Sequence, residues 1–397
     1  MPARVPARSD FGRVWAASAL STLGDGVTLV AGPLLVASRT SDPALVAGAA
    51  FVQQLPWLLV SLVSGAYADR VDRRALVVAV GLVRAAALGV LVWSVATGTG
   101  TVPVLYAVLF VLGVGETLAE SATAAILPAV VPPDRLATAN ARLTGAFTVA
   151  HQFVAKPLGA WLFGVAAAVP FGVDAVTFVG AAALFATVRP VPGAPRTGRS
   201  GLRADIAAGV RWLAGHRLLR TLAVAMGLGN VAFCAAFATF VLYARQRLGL
   251  PPVGYGVLLT ALAAGGLLGS LVAARLRARL GPAVLLRAGL LVEAGTHLTL
   301  ALTTVPWLAG GVLVVFGVQT TSWGITTATL RQQTVPDPLR ARVASVYALL
   351  ETGGAALGSL AGAVLSRYLG LVAPFWIAAL TMALIAAATW RTLRAAG

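Results

Sequence analysis

Twelve times along its 397 residues the chain runs for about twenty residues with almost no charge, which is the length a helix needs to cross the hydrocarbon of a bilayer. The runs lie near 13–37, 43–67, 75–97, 103–128, 138–164 and 171–188, then 219–244, 253–274, 283–303, 307–330, 343–366 and 371–390. Arginine clusters and Pro/Gly breaks close them. The composition fits lipid as the solvent. Residues are 58% hydrophobic and 11% charged, with a mean hydropathy of +0.87, whereas about a quarter of the residues of a soluble domain are charged. A water-soluble fold with so few charges would expose large apolar patches.

The net charge of +17 is no sign of a nucleic-acid partner, because the arginines sit in short clusters between apolar runs rather than along one face. Cys234 stands alone, which leaves no disulfide framework and no paired-cysteine metal site; it reads as a small packing residue. The three histidines have no metal-ligand spacing, and no cofactor is implied. Met1 to Arg13 lacks the short apolar core and cleavage site of a signal peptide. No GxxxxGK[ST], HExxH or GxSxG stretch occurs, which speaks against ATP-driven transport within this chain and against hydrolysis.

Basic residues orient the spans. With the N-terminus in the cytoplasm, 24 lie in cytoplasmic segments and four outside (Arg39, Arg245, Arg247, Arg367), while Arg84 and Lys156 fall within the membrane. The expectation is a multi-pass protein of the inner (cytoplasmic) membrane with both termini inside. The halves look related. Gly65 to Arg74 matches Gly269 to Arg279 at an offset of about 204, and Leu127 to Gly159 matches Leu330 to Gly362 at about 203; repeats of that kind mark 6+6 transporters. The expected organisation is a six-helix bundle over 1–188, a cytoplasmic linker over 189–217 and a second bundle over 218–397. In the linker Ile206, Val210 and Leu213 recur at helical spacing beside Trp212, with Arg203, Arg211 and Arg217 nearby. That reads either as an amphipathic helix on the inner leaflet or as a tether.

The stretch Gly65-Ala-Tyr-Ala-Asp69-Arg70-Val-Asp72-Arg73-Arg74 resembles the signature between helices 2 and 3 of the major facilitator superfamily. Three more stretches are similar to its bacterial branch that includes enterobactin-exporter and macrolide-efflux proteins. They are Ser21-Thr-Leu-Gly-Asp25-Gly26, Leu127-Pro-Ala-Val-Val-Pro-Pro-Asp-Arg135-Leu-Ala-Thr-Ala-Asn140 and Asp174-Ala-Val-Thr-Phe178. The resemblance implies an all-α membrane protein of twelve transmembrane helices in two pseudo-symmetric six-helix bundles. It also implies a gate in which Asp69 accepts hydrogen bonds at the N-terminus of helix 11, with Gly65, Arg70, Asp72, Arg73 and Arg74 completing the loop; the plainer alternative is positive-inside charge. Two departures stand out. Lys156 precedes Pro157 where proton-coupled drug antiporters carry glycine, and the second-half copy of the loop keeps arginines without an acid.

Ionisable residues in hydrocarbon are costly and face a cavity or a partner. Asp25, Arg84, Glu116, His151, Glu293 and Glu351 all lie roughly 12–20 Å in from the cytoplasmic ends of their helices at a 1.5 Å rise, near the depth where transporters bind substrate and ions. Glu116 and Glu120 share a helix face and form a candidate proton carrier, since one bound proton cancels their repulsion. Otherwise one of them neutralises Arg84, or Glu120 is simply hydrated. Asp25 is read either as the partner of Arg84 or as a substrate contact. Gln152 and Lys156 share a face with His151 adjacent. Lys156 holds an anionic substrate group, offsets Glu116 or snorkels outward. His297, four residues past Glu293, suggests a hydrogen-bonded pair. Glycines at 265 and 269 and at 354, 358 and 362 suit close helix packing.

The reading favoured by these residues is proton-coupled export of an amphipathic small molecule, with the bilayer, protons and substrate as partners and no enzymatic activity. Uptake or lipid flipping on the same fold, a transport-inactive scaffold and an intramembrane enzyme are the alternatives.

Overall fold

The computed structural model describes residues 8–68, 71–190, 202–336 and 339–394, and among them every regular element is helical. The first half holds α1 (Arg8–Arg39), α2 (Pro43–Ala68), α3 (Arg73–Ala96) and α4 (Val102–Val130). After a 3-10 turn at Pro133–Arg135 come α5 (Leu136–Phe147), a π-helical turn over Thr148–Ala155, α6 (Lys156–Val165) and α7 (Val169–Ala186). The second half holds α8 (Leu202–Gly215), α9 (Arg217–Phe237), the short α10 (Phe240–Leu242), a second π-helical turn over Tyr243–Arg247, α11 (Pro252–Leu302), α12 (Pro306–Thr334), α13 (Arg340–Leu369) and α14 (Ala373–Arg394).

Ten of these helices are long and apolar enough to cross a membrane. One of them, α11, is two spans, because Gly281 breaks it at φ 74° and Pro282 follows. That left-handed backbone is open to glycine at no steric cost, and Pro282 brings no N–H to continue the helix. The run from 136 to 165 supplies another span from three consecutive helical pieces. The chain is thus a multi-pass membrane protein of twelve spans. Beside a buried core that includes Phe171, Phe178, Phe240 and Phe375, many large apolar side chains are exposed, among them Trp93, Trp161, Val176, Leu271, Trp307, Leu357 and Leu380, as suits a chain whose surface meets lipid.

The boundary between the eighth and ninth spans differs from the sequence reading. Helix continues unbroken past residue 274 to Leu280, so Arg275, Arg277 and Arg279 ride on helix rather than in a loop. Within the 189–217 stretch a helix is present as α8; Leu213 is buried in the apolar core that α9, α13 and α14 build, with Trp212 against it, while Val210 is exposed. A Cβ on Gly209 would lie 2.7 Å from the Arg342 carbonyl oxygen, so α8 lies flush on α13.

The chain forms two compact units, one of residues 1–39 and 52–197, the other of residues 40–51 and 198–397. In the first, α1 lies against α7, α6 and the π-helical turn, and α3 against α4 and α7. In the second, α11 lies against α12 and α14, and α9 against α13 and α14. Both use the same device of glycine against a bare carbonyl. A Cβ on Gly159 of α6 would sit 2.7 Å from the Val27 oxygen of α1, and one on Gly358 of α13 would sit 2.5 Å from the Val231 oxygen of α9. Gly354 and Gly362 meet Gly227 and Ala235 likewise, and Gly265 and Gly269 meet Val314 and Val318 of α12. In the second unit Asp42 caps α2, accepting from the Ala44 amide at 2.9 Å, and pairs with Arg367 at 3.7 Å.

Candidate functional site

Inside the first unit lies a cavity of about 580 Å³ walled by α1, α2, α3, α4, α5, the first π-helical turn and α7. Its polar wall consists mainly of Ser18, Ser21, Asp25, Arg84, Glu116, Glu120, Asn140 and His151. Charged residues converge here because α1, α3 and α4 each carry one at about the same depth, and a buried charge requires a partner.

Arg84 donates to Asp25 in an ion pair. The arginine side chain is only 4% exposed and the aspartate 21%, so the pair opens to the cavity on its acidic side. Ser21 reaches the other carboxylate oxygen at 3.5 Å. The guanidinium lies 4.0 Å over the Phe178 ring, an arrangement attractive to a cation. Gly115 leaves room for the arginine stem, since a Cβ there would sit 2.6 Å from Arg84 Cδ.

Glu116 and Glu120 are both exposed along the cavity wall. Trp57 of α2 lines the same wall as Glu116. Among the described residues neither glutamate forms an ion pair, so Arg84 belongs to Asp25 rather than to Glu116. His151 stacks on Phe147 with ring centroids 4.8 Å apart, and its buried Nδ1 has no hydrogen-bond partner.

Gln152 and Lys156 are brought together, but not into the cavity wall. The Lys156 ammonium donates to Gln152 Oε1 at 2.5 Å, the residue is 8% exposed, and neither side chain lines the cavity. Pro157 explains the offset. It has no N–H and its ring crowds the carbonyl four residues back, which the wider π-helical turn relieves. An extra residue in one turn rotates the rest of the helix by about 100° relative to an unbroken one.

Asp174 is a residue that spacing alone did not single out. It is fully buried and accepts from Thr28 Oγ1 at 2.5 Å and Thr177 Oγ1 at 3.2 Å. Gly24 makes the approach possible, because any Cβ there would overlap the Asp174 carboxylate. The signal in the sequence was the Asp174-Ala-Val-Thr-Phe178 stretch already quoted for the resemblance, carried on a helix that begins at Val169 rather than 171.

In the second unit Glu351 is exposed, and its backbone carbonyl accepts from Asn230. Glu293 is half-buried; His297 Nδ1 bonds its backbone carbonyl at 2.9 Å rather than its carboxylate. Of the loop signature, Asp69 and Arg70 lie outside the described residues, and Gly65 lies in α2. Asp72 caps α3 by accepting from the Ala75 amide at 3.1 Å. Arg73 opens that helix, and Arg74 donates to the Ala186 and Val188 carbonyls at 3.2 Å, closing the end of α7. Among the described residues no cluster of His, Cys, Asp and Glu suits a metal ion.

A twelve-span helical chain with a charged cavity inside a six-helix half is a transporter of the major facilitator kind. More narrowly, the transmembrane secretion effector family model matches residues 4–395, and the chain belongs to that family. MFS-type transporters of Mycobacterium bovis and Mycobacterium tuberculosis are each 34% identical over 165 residues, which is 39% of this chain and 36% of theirs. The match spans little more than a third of those relatives. Among solved structures, a point mutant of the nucleoside transporter NupG superposes with a TM-score of 0.80 at 12% identity, covering 96% of this chain and 99% of its own. A bacterial homologue of the iron transporter ferroportin in an inward-facing state gives 0.71 at 19%, covering 95% and 98%. At these identities the likeness shows the fold alone.

Proposed function

We propose that this transporter exports an amphipathic small molecule across the inner membrane by alternating access, driven by the proton gradient. The observation that carries the reading is the pair Glu116 and Glu120, exposed to a membrane-depth cavity beside an already neutralised Asp25–Arg84 pair. Carboxylates at that depth are costly to retain. Placed where substrate enters, they let proton and substrate compete for one site, and each then biases which side is open. Outward direction is supported by the family's description as a secretion effector and by the likeness of Ser21–Gly26 and Leu127–Asn140 to enterobactin and macrolide exporters. The basic-residue bias supports cytoplasmic termini and a cytoplasmic 189–217 linker between functional halves of 1–188 and 218–397; a periplasmic reporter signal from the linker would sink that topology. Asp69 with its loop is assigned the inner gate.

Everted vesicles test the coupling. Glu116→Gln mimics a carboxyl that never releases its proton, so substrate exchange survives while uphill efflux fails. The native protein loses concentrative efflux when an uncoupler collapses the pH gradient. Lys156→Met is the comparison: if it and Glu116→Gln both pump uphill at the native rate, neither group carries the proton and the proposal is wrong.

A further inference from the structure

Resting on that reading of the cavity, we infer that the cargo is an amphipathic organic cation, an ammonium or phosphonium with apolar substituents, held between Glu116, Glu120 and the Trp57 ring. The charge inventory of the cavity wall points this way. Asp25 is matched by Arg84, which is the one basic side chain of the wall apart from His151. Glu116 and Glu120 remain, exposed and without an ion-pair partner among the described residues. Lys156 does not balance them, because its ammonium is buried on Gln152 outside the wall.

The walls favour the same cargo. The cavity volume of about 580 Å³ falls in the range of roughly 300–1,000 Å³ common to small-molecule sites. Apolar surface comes from Val77, Val80, Leu127 and Leu143, which suits bulky substituents rather than a hydrated metal ion. Cations are attracted to aromatic faces, tryptophan best. Phe178 is already covered by Arg84, whereas Trp57 lines the same wall as Glu116 and Glu120, so an aromatic ring and two carboxylates border one cavity. An anion entering here meets two carboxylates and an arginine already spent on Asp25. A neutral cargo leaves both glutamates desolvated and unpaired, which costs affinity.

Two probes of one shape and opposite charge separate these cases: tetraphenylphosphonium and tetraphenylborate. Binding to the purified full-length protein in lipid nanodiscs, with empty nanodiscs subtracted, is the measurement. Saturable binding of the phosphonium, none of the borate, and at least a tenfold loss of phosphonium affinity in the Glu116→Gln/Glu120→Gln double variant are expected. Saturable borate binding of equal affinity, or no saturable phosphonium binding to the native protein, overturns the inference without reliance on any variant. An unchanged phosphonium affinity in a well-folded double variant overturns it as well. Phosphonium binding alongside failure of uncoupler-sensitive efflux refutes the proton coupling and leaves the cation site standing.

Discussion

The Asp25–Arg84 pair makes an energetic prediction that needs no knowledge of cargo. Breaking a buried pair by removing one partner costs about 3–5 kcal/mol, because the other charge is left uncompensated. The two halves of the pair are not equally buried, with Arg84 4% and Asp25 21% exposed. Asp25→Leu strands the more buried charge and belongs at the upper end of that range. Part of its cost is offset by the Phe178 ring at 4.0 Å, worth about 0.5–2 kcal/mol to a cation. Arg84→Met strands an acid that the cavity can hydrate, so it falls at or below about 3 kcal/mol. Replacing both removes two charges together and is neutral or stabilising by about 1–4 kcal/mol relative to the native pair in comparable cases. In a unit of roughly 200 residues, single changes of this size move the melting temperature by about 6–20 °C. Thermal unfolding in detergent of the native protein, both single variants and the double variant closes the cycle. The double variant should unfold well above either single one, and Asp25→Leu should be the least stable. If the double variant's loss equals the sum of the two single losses, the charges are uncoupled and the pairing argument fails.

Packing and the loop have tests of their own. Gly362→Leu and Gly159→Leu each drive a side chain into a neighbouring backbone carbonyl and should cost at least about 1–3 kcal/mol. Gly353, with nothing within 4 Å of its added Cβ, should accept alanine with a gain of up to about 1 kcal/mol; equal melting temperatures for all three would contradict the close-packing account. Asp72→Ala removes the cap on α3 and should destabilise by about 0.5–2 kcal/mol, whereas Asp72→Ser should hold most of it, a difference read from the same melts. Asp69→Asn should leave insertion intact yet abolish most transport in vesicles; a native rate would reduce the loop to topology alone.

How far the sequence disclosed the site depended on whether chemistry or geometry decided each position. The Asp25–Arg84 pair was one of two readings open for Asp25 in the sequence, offered because a charge in hydrocarbon must find its opposite and both lie at about one depth counted from their helix ends. The glycine stripes were legible because small residues at that spacing serve one purpose in packed helices, and Gly265 and Gly358 do serve it. Helical phase beyond Pro157 was not legible. A proline four residues past Phe153 forces some distortion, but whether the chain kinks, breaks or widens depends on what packs alongside. Here Gly26 of α1 admits Ala155 and the His151 backbone to close range, so the chain widens into a π-helical turn. That choice sets His151 in the cavity wall and leaves Lys156 outside it. Asp174 escaped for a related reason. Counted along its own helix it sits near an end, where acids are ordinary. Only the side-by-side placement of Gly24 and Thr28 on α1 shows that it is fully enclosed. Charge demand is written locally in a membrane sequence, while helix phase and enclosure are written in the neighbour. The two glycines at 24 and 26 are therefore as much part of the site as the acids they admit, since any side chain there would displace Asp174 or the turn that carries His151.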